Sequence, residues 1–204
     1  MDQGAEVDRD AQLMLALGRG DDSAFDALFS RWAAPLLRYL ERMLHDAATA
    51  EDLVQETFHR VHRARHRYVQ EARFSTWLYR IATNLALNEL RRPRRTRPHV
   101  STDDDRDLQA VRDLRAHEPG ADDVVHARRV GAAVERALEA LPERQRMALW
   151  LSAVEGHSYA EVAAALDTSE SSVKSLVHRA RSALAESIGP GGCPVGSRRT
   201  EGRS

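Results

Sequence analysis

Apolar residues recur along this chain at helical spacing, and nowhere do they alternate over the length a strand needs. The clearest stretch runs from Gly156 to Ala185. Ser158 with Glu161 three residues on fits a capping box. Tyr159, Val162, Ala163 and Leu166 then fall at i, i+3, i+4 and i+7, one apolar stripe. Asp167-Thr168-Ser169 breaks the period, and a second stripe follows in Val173, Val177, Ala180 and Leu184. The pattern predicts two short helices joined by a tight turn. Opposite the second stripe lie Ser171, Lys174, Ser175, His178 and Arg181, at about 100° per residue. A helix that is apolar behind and small, polar and basic in front suits the DNA major groove, where Lys and Arg reach phosphates or guanine edges. An ordinary αα-hairpin with one solvated face has the same outline, so this stretch alone does not separate the two.

Upstream, Ala11 to Leu17 make a short apolar helix stopped by Gly18-Arg19-Gly20. Asp22 or Ser23 can cap the next helix, which carries Phe25, Leu28, Phe29, Trp32, Leu36 and Leu40; Pro35 inside it predicts a kink. A third helix is expected from Thr49, with Asp52 in the capping-box position, to about Arg65, its stripe being Leu53, Phe58 and Val61. A loop from Arg67 to Arg73 holds Tyr68. Ser75 is the expected cap of a fourth helix whose core face is Phe74, Leu78, Ile81 and Leu85. Beside that face runs a second stripe, Trp77, Arg80, Asn84, Asn88 and Arg91. Aromatic, Arg and Asn side chains interleaved on a basic helix can stack on bases and hydrogen-bond to them. The alternative is that Trp77 is core and the others are merely solvated.

No apolar period survives between 93 and 122, which reads as a flexible linker. A helix is expected from about Asp123 to Ala140, then Leu141-Pro142 opening another through Leu151. From Ile188 the Gly, Pro, Arg and Ser content suggests a disordered tail. The expectation is an all-α protein: two small helical domains, 10–92 and 123–187, joined by the linker 93–122 and followed by the tail 188–204.

Charge sharpens this reading. The net charge of −1 does not by itself suit a nucleic-acid binder, but the charge is segregated. Residues 1–56 carry 5 Arg against 12 acids and residues 57–97 carry 11 Arg against 2 acids. Residues 101–123 return to 3 Arg against 8 acids, and 124–204 hold 11 Lys and Arg against 9 acids. A phosphate backbone would meet the basic block, not the total. The single cysteine, Cys193, excludes an intrachain disulfide framework and a Cys-rich zinc site. No 18-residue apolar run and no secretory leader are present, so a cytoplasmic protein without membrane insertion is expected.

The stretches AEDLVQETF and FSTWLYRIATNLALNELRR, followed in order by LPERQRMALWLSAVEGHSYAEVAAAL and SSVKSLVHRAR, resemble the extracytoplasmic-function sigma factors of bacterial RNA polymerase. The likeness covers about residues 10–92 and 124–186. It implies a factor that directs core polymerase to promoters and helps melt the minus-ten element. It further implies core-polymerase contact at Asp52, Gln55, Glu56 and Phe58, and minus-ten contact around Tyr68 and Asn84, with Trp77, Arg80, Asn88 and Arg91 on the same stripe. The set implied for the minus-thirty-five element is Ser171, Ser172, Lys174, Ser175, His178 and Arg179. Core polymerase and promoter DNA are the implied partners; an anti-sigma factor joins them as a candidate the sequence cannot name. No cofactor, metal or catalytic residue is implied. The chain departs from the family pattern at Asp167, where Gly is common, at Ser171 and at Leu176.

Two other readings start from different residues. Glu56-Thr-Phe-His59 fits the Glu-x-x-His of carboxylate-bridged di-iron bundles, with His62 and His66 nearby, but such sites need a second Glu-x-x-His and the chain has none. A dimeric helix–turn–helix repressor would leave residues 10–92 without a role other than sensing or dimerisation.

Overall fold

The computed structural model describes residues 8–92, 131 and 133–188, and among these every regular element is a helix. In chain order they are α1 (Arg9–Gly18), α2 (Ser23–Leu44), α3 (Ala47–Ala64), α4 (Phe74–Arg91), α5 (Glu143–Ala153), α6 (Tyr159–Leu166) and α7 (Glu170–Ile188). The all-α class expected from the pattern is what they form. The described residues group into two units, 8–92 with 141–182, and 131 and 133–140 with 183–188. Within the second, 133–139 is helical and buries Ala133 and Ala137. The expected linker, 93–122, and the tail beyond Ile188 lie outside the described residues, as does the start of the helix expected from Asp123.

Helix ends depart from the sequence expectation in instructive ways. Asp46, not Thr49, caps α3: its carboxylate accepts from the Thr49 amide at 3.1 Å, so Thr49 and Asp52 lie inside the first two turns. Ser75 does not cap α4, which starts at Phe74 behind Arg73 and has no cap from its own neighbours. The Phe74 amide is satisfied instead by Asp8, 66 residues away, at 2.6 Å. The capping box on α6 is present: Ser158 Oγ accepts from the Glu161 amide at 3.2 Å, and Glu161 accepts from the Ser158 amide at 2.8 Å. α2 remains one helix of 22 residues with Pro35 inside it.

In the first unit, α1, α2, α3 and α4 close around Ala11, Met14, Leu17, Ala24, Leu28, Val61, Phe74 and Leu78. Burying each larger side chain contributes about 1.5–3 kcal/mol, against the entropy of ordering it. Polar side chains inside this core tie its helices together, although the Tyr79 hydroxyl is buried without a hydrogen-bond partner. Asp10 accepts from Arg31 at 2.6 Å and from the Trp32 indole at 3.1 Å, tying α1 to α2. Tyr39 and Thr83 share a hydroxyl hydrogen bond at 2.7 Å, tying α2 to α4. Burial drives the Tyr39 phenol above the ordinary tyrosine range. On α3 the buried positions are Thr49, Ala50, Val54, Thr57, Phe58 and Val61, while Leu53 is only half-buried.

Residues 141–182 pack against these helices. α6 lies along α4, and α5 approaches the C-terminal end of α2, where the buried Arg146 donates to the Met43 carbonyl at 2.9 Å. That carbonyl belongs to the last turn of a helix, which lacks an intrahelical donor, and a guanidinium suits both its lone pair and the helix dipole. His157 is buried with its ring edge-on to Tyr79, centroids 5.3 Å apart. Burial holds its pKa below the ordinary 6.5, only partly opposed by Glu161 and Glu155. Thr76 and Arg73 of the α4 start reach Glu161 at 3.5 and 3.8 Å.

Candidate nucleic-acid interface

α4 is amphipathic in an unusual proportion. Phe74, Thr76, Leu78, Tyr79, Ala82, Thr83, Leu85 and Ala86 are all buried, leaving a narrow exposed strip. That strip is Arg80, Asn84, Asn88 and Arg91, the residues of the predicted second stripe. Trp77, at its upper end, is half-buried. Its ring sits 5.0 Å from Tyr68 and 5.8 Å from Phe74, and Tyr68 lies 6.4 Å from Phe74. The three rings form one aromatic group at the N-terminal end of the strip.

Tyr68 is therefore not the exposed aromatic that its loop position suggests. It is half-buried, and its hydroxyl is buried without a hydrogen-bond partner. Burial, with the nearby Asp8 carboxylate, pushes the phenol up to about 12, so the ring stays neutral at working pH. Packing against two rings overrode the general exposure of loops. The rest of the loop, Arg67 and Val69 to Arg73, is exposed, with Val69 its exposed large apolar side chain at 69%.

On α7 the buried residues are Val173, Val177 and Ala180, as the stripe predicts, and Leu184 is half-buried. Ser171, Lys174, Ser175, His178 and Arg179 are exposed and Ser172 is half-buried. Two shallow grooves lie along this face, one lined by Lys174, Ser175, His178 and Arg179, the other by Arg144, Thr168, Ser171 and Leu176 among others. Arg144 was missed in the sequence. It donates to the Leu166 carbonyl at 2.8 Å, which holds α5 against the end of α6 and puts a second guanidinium beside Arg179. Its signal was only a basic residue in LPERQR, with nothing to tell bridge from surface. Ser169, also unforeseen, caps α7: its Oγ accepts from the Ser172 amide at 3.2 Å and shares hydrogen bonds with the Ser171 and Ser172 hydroxyls at 3.0 and 2.8 Å. Leu176 is half-buried at the groove edge, neither core nor fully exposed. Asp167 takes the left-handed conformation, φ 50°, that the usual glycine would adopt freely.

On α3, Asp52 and Gln55 are exposed, while Glu56 is engaged by Arg60 at 2.7 Å and by His59 at 3.7 Å. The hydrogen bond from Arg60 holds the Glu56 carboxyl below its ordinary range. Phe58 needs correction as a surface residue. It is 2% exposed, its ring beneath Phe29 at 4.8 Å and Phe25 at 6.1 Å, so it supports a surface rather than forming one. The aromatic that reaches solvent is Phe29, at 41%. No group of three or more His, Cys, Asp or Glu side chains able to hold a metal occurs among the described residues, and none of their helices is long and apolar enough to cross a membrane.

The Sigma-70 region 2 family profile matches residues 28–96 and the Sigma-70, region 4 profile matches residues 131–184. The RNA polymerase sigma-H factor of Pseudomonas aeruginosa is 34% identical over 188 residues, covering 90% of this chain and 95% of that protein. The ECF RNA polymerase sigma-E factor of Escherichia coli K12 is 32% identical over 188 residues, covering 89% and 95%. The chain belongs to the extracytoplasmic-function family of RNA polymerase sigma factors. A solved structure of the sigma factor RpoE from Bartonella quintana, in complex with the anti-sigma factor NepR, shares the fold with a TM-score of 0.57. Its identity is 23%, over 79% of this chain and 94% of that one. The sigma factor accordingly acts in promoter-specific initiation with core RNA polymerase and promoter DNA, and the repressor and di-iron readings give way to this one.

Proposed function

We propose that the exposed strip of α4 and the aromatic group at its end capture the melted minus-ten strand, while α7 docks in the major groove of the minus-thirty-five element. The observation that carries this reading is the juxtaposition of Tyr68 and Trp77 with an exposed Arg80, Asn84, Asn88 and Arg91 on one helix face. Arg supplies phosphate contact and Asn the paired donor and acceptor of a base edge. The half-buried rings offer an apolar wall against which an unstacked base can rest, worth about 1–3 kcal/mol per stacked base. Unstacking costs a few kcal/mol, so opening draws on binding energy and uses no catalytic group.

In the same reading Ser171, Ser172, Lys174, Ser175, His178 and Arg179 meet the duplex, with Arg144 added as a phosphate contact. Asp52, Gln55 and Glu56, with Phe29 in place of Phe58, meet core polymerase in the cytoplasm. An anti-sigma factor is a further partner in this reading. Transcription by core polymerase with and without this protein on genomic fragments tests it. Promoter-specific transcripts that require the protein are expected; a footprint formed by the protein alone, with no dependence on polymerase, contradicts it.

A further inference from the structure

The loop that carries Tyr68, residues 65–73, joins α3 to α4, and α1 touches it at both ends. At the α4 end, Asp8 places one carboxylate across two helix starts. Its Oδ1 accepts from the Asp10 and Ala11 amides at 3.1 and 3.2 Å, capping α1. Its Oδ2 accepts from the Phe74 amide at 2.6 Å, supplying the cap that α4 lacks from its own neighbours. Both helix starts present unpaired amides and positive dipole ends, which a shared carboxylate satisfies together. At the α3 end, Gly18 closes α1 so tightly against the chain that a Cβ there would sit 2.6 Å from the Arg65 carbonyl oxygen. His66 Nδ1 lies 3.0 Å from the Gly18 carbonyl oxygen. The ten residues of α1 thus span the gap between the two ends of the loop, about 15 Å at 1.5 Å per residue.

We infer that α1 is a splint for the base-reading loop, with Asp8 and Gly18 as its two anchors, and that both are positioning residues for minus-ten recognition although neither belongs to the reading surface. The inference rests on the reading that Tyr68 and Trp77 face the melted strand. Phe74 transmits the Asp8 anchor, since its amide is held by Asp8 while its ring packs on Tyr68 and Trp77. Gly18 transmits the other, because Arg65 and His66 open the loop three and two residues before Tyr68. The loop's own sequence cannot hold that geometry. It has one internal backbone hydrogen bond besides those that end α3, from the Glu71 amide to the Val69 carbonyl. A misplacement of about 1 Å at a recognition site is enough to degrade it.

The full-length protein bound to core polymerase tests this. The probe is a single-stranded oligonucleotide with the non-template minus-ten sequence of a promoter that the holoenzyme transcribes, each base in turn replaced by an abasic site. The readout is the affinity ratio of intact to abasic strand at each position, in Asp8→Ala, Asp8→Asn, Gly18→Ala and, for reference, Tyr68→Ala. The splint predicts that Asp8→Ala and Gly18→Ala each lower the ratio at least threefold at the position Tyr68→Ala affects, with core binding and minus-thirty-five duplex binding unchanged. Asp8→Asn, whose single acceptor oxygen serves one helix start only, keeps the fold and should show an intermediate drop. A lower melting temperature with wild-type ratios in the Asp8 and Gly18 variants, while Tyr68→Ala loses its ratio, overturns the splint alone. Wild-type ratios in all four variants, Tyr68→Ala included, overturn the pocket and the splint with it.

Discussion

α4 and α7 present the same outline, a basic and polar strip over an apolar one, yet they are packed differently. α7 buries Val173, Val177 and Ala180, half-buries Ser172 and Leu176, and leaves the rest of its first three turns to solvent. α4 buries eight of its residues, among them Tyr79 and Thr83 against α2 and Thr76 toward α6. The difference teaches that one strip is written in its own helix and the other is built by its neighbours. Substitutions on α7 should act where they are made, whereas α4 should be damaged from outside as readily as from within.

The largest expected effect comes from opposing the two cores. Leu78→Ala removes a fully buried side chain between α1, α2 and α4 and should cost about 2–5 kcal/mol, read as a shift in denaturant midpoint. Val177→Ala, smaller and on the less enclosed helix, should cost distinctly less. Equal losses would break the comparison. Next, Lys174→Ala and Arg179→Ala should weaken minus-thirty-five duplex binding and lower the salt slope by about one each if they meet phosphate. A guanine contact would instead make the loss sequence-selective, about 1–3 kcal/mol. Neither substitution should change minus-ten strand binding, and a change there would erase the distinction between the strips.

A smaller effect follows from His157, which α4 shares with the segment leading into α6. Its folded pKa lies below the ordinary 6.5, so below that pH the unfolded chain binds the proton more readily and stability falls as pH falls toward the folded value. His157→Phe keeps a ring against Tyr79 and should flatten the stability profile just below pH 6.5. Glu161 titrates lower, since the Ser158 hydrogen bonds, His157 and Arg73 outweigh its burial, and so leaves that window clear. An unchanged slope in His157→Phe would remove His157 as the source. The smallest effect is a gain: Asp167→Gly should add about 0.5–1 kcal/mol by relieving the left-handed backbone at φ 50°. A thermal melt measures it, with DNA affinity unchanged.

The same contrast explains what the sequence disclosed. The capping box of Ser158 and Glu161, the stripe Val173, Val177 and Ala180 and the exposed residues of both strips are local patterns, and local periodicity carries them. The cap of α4 was hidden because its acceptor lies 66 residues upstream, where no local signal for Phe74 exists. Tyr68 was hidden for a related reason. A loop aromatic is expected in solvent, but Trp77, from another element, covers it, whereas Phe58 falls on the predicted apolar stripe and lies buried beneath Phe29. Arg146 and Arg144 looked like ordinary surface charges in LPERQR and instead hold carbonyls at the ends of α2 and α6.

The claim at the centre of this account is that the α4 strip and its aromatic group capture the melted strand, and permanganate reactivity of minus-ten thymines tests it most directly. Asn84→Ala and Tyr68→Ala variants should bind core polymerase and the minus-thirty-five duplex normally, yet the holoenzymes they form should lose most of that reactivity on a duplex promoter, with only partial recovery on a pre-melted bubble. Wild-type reactivity in both variants would show that the strand is captured elsewhere on the protein.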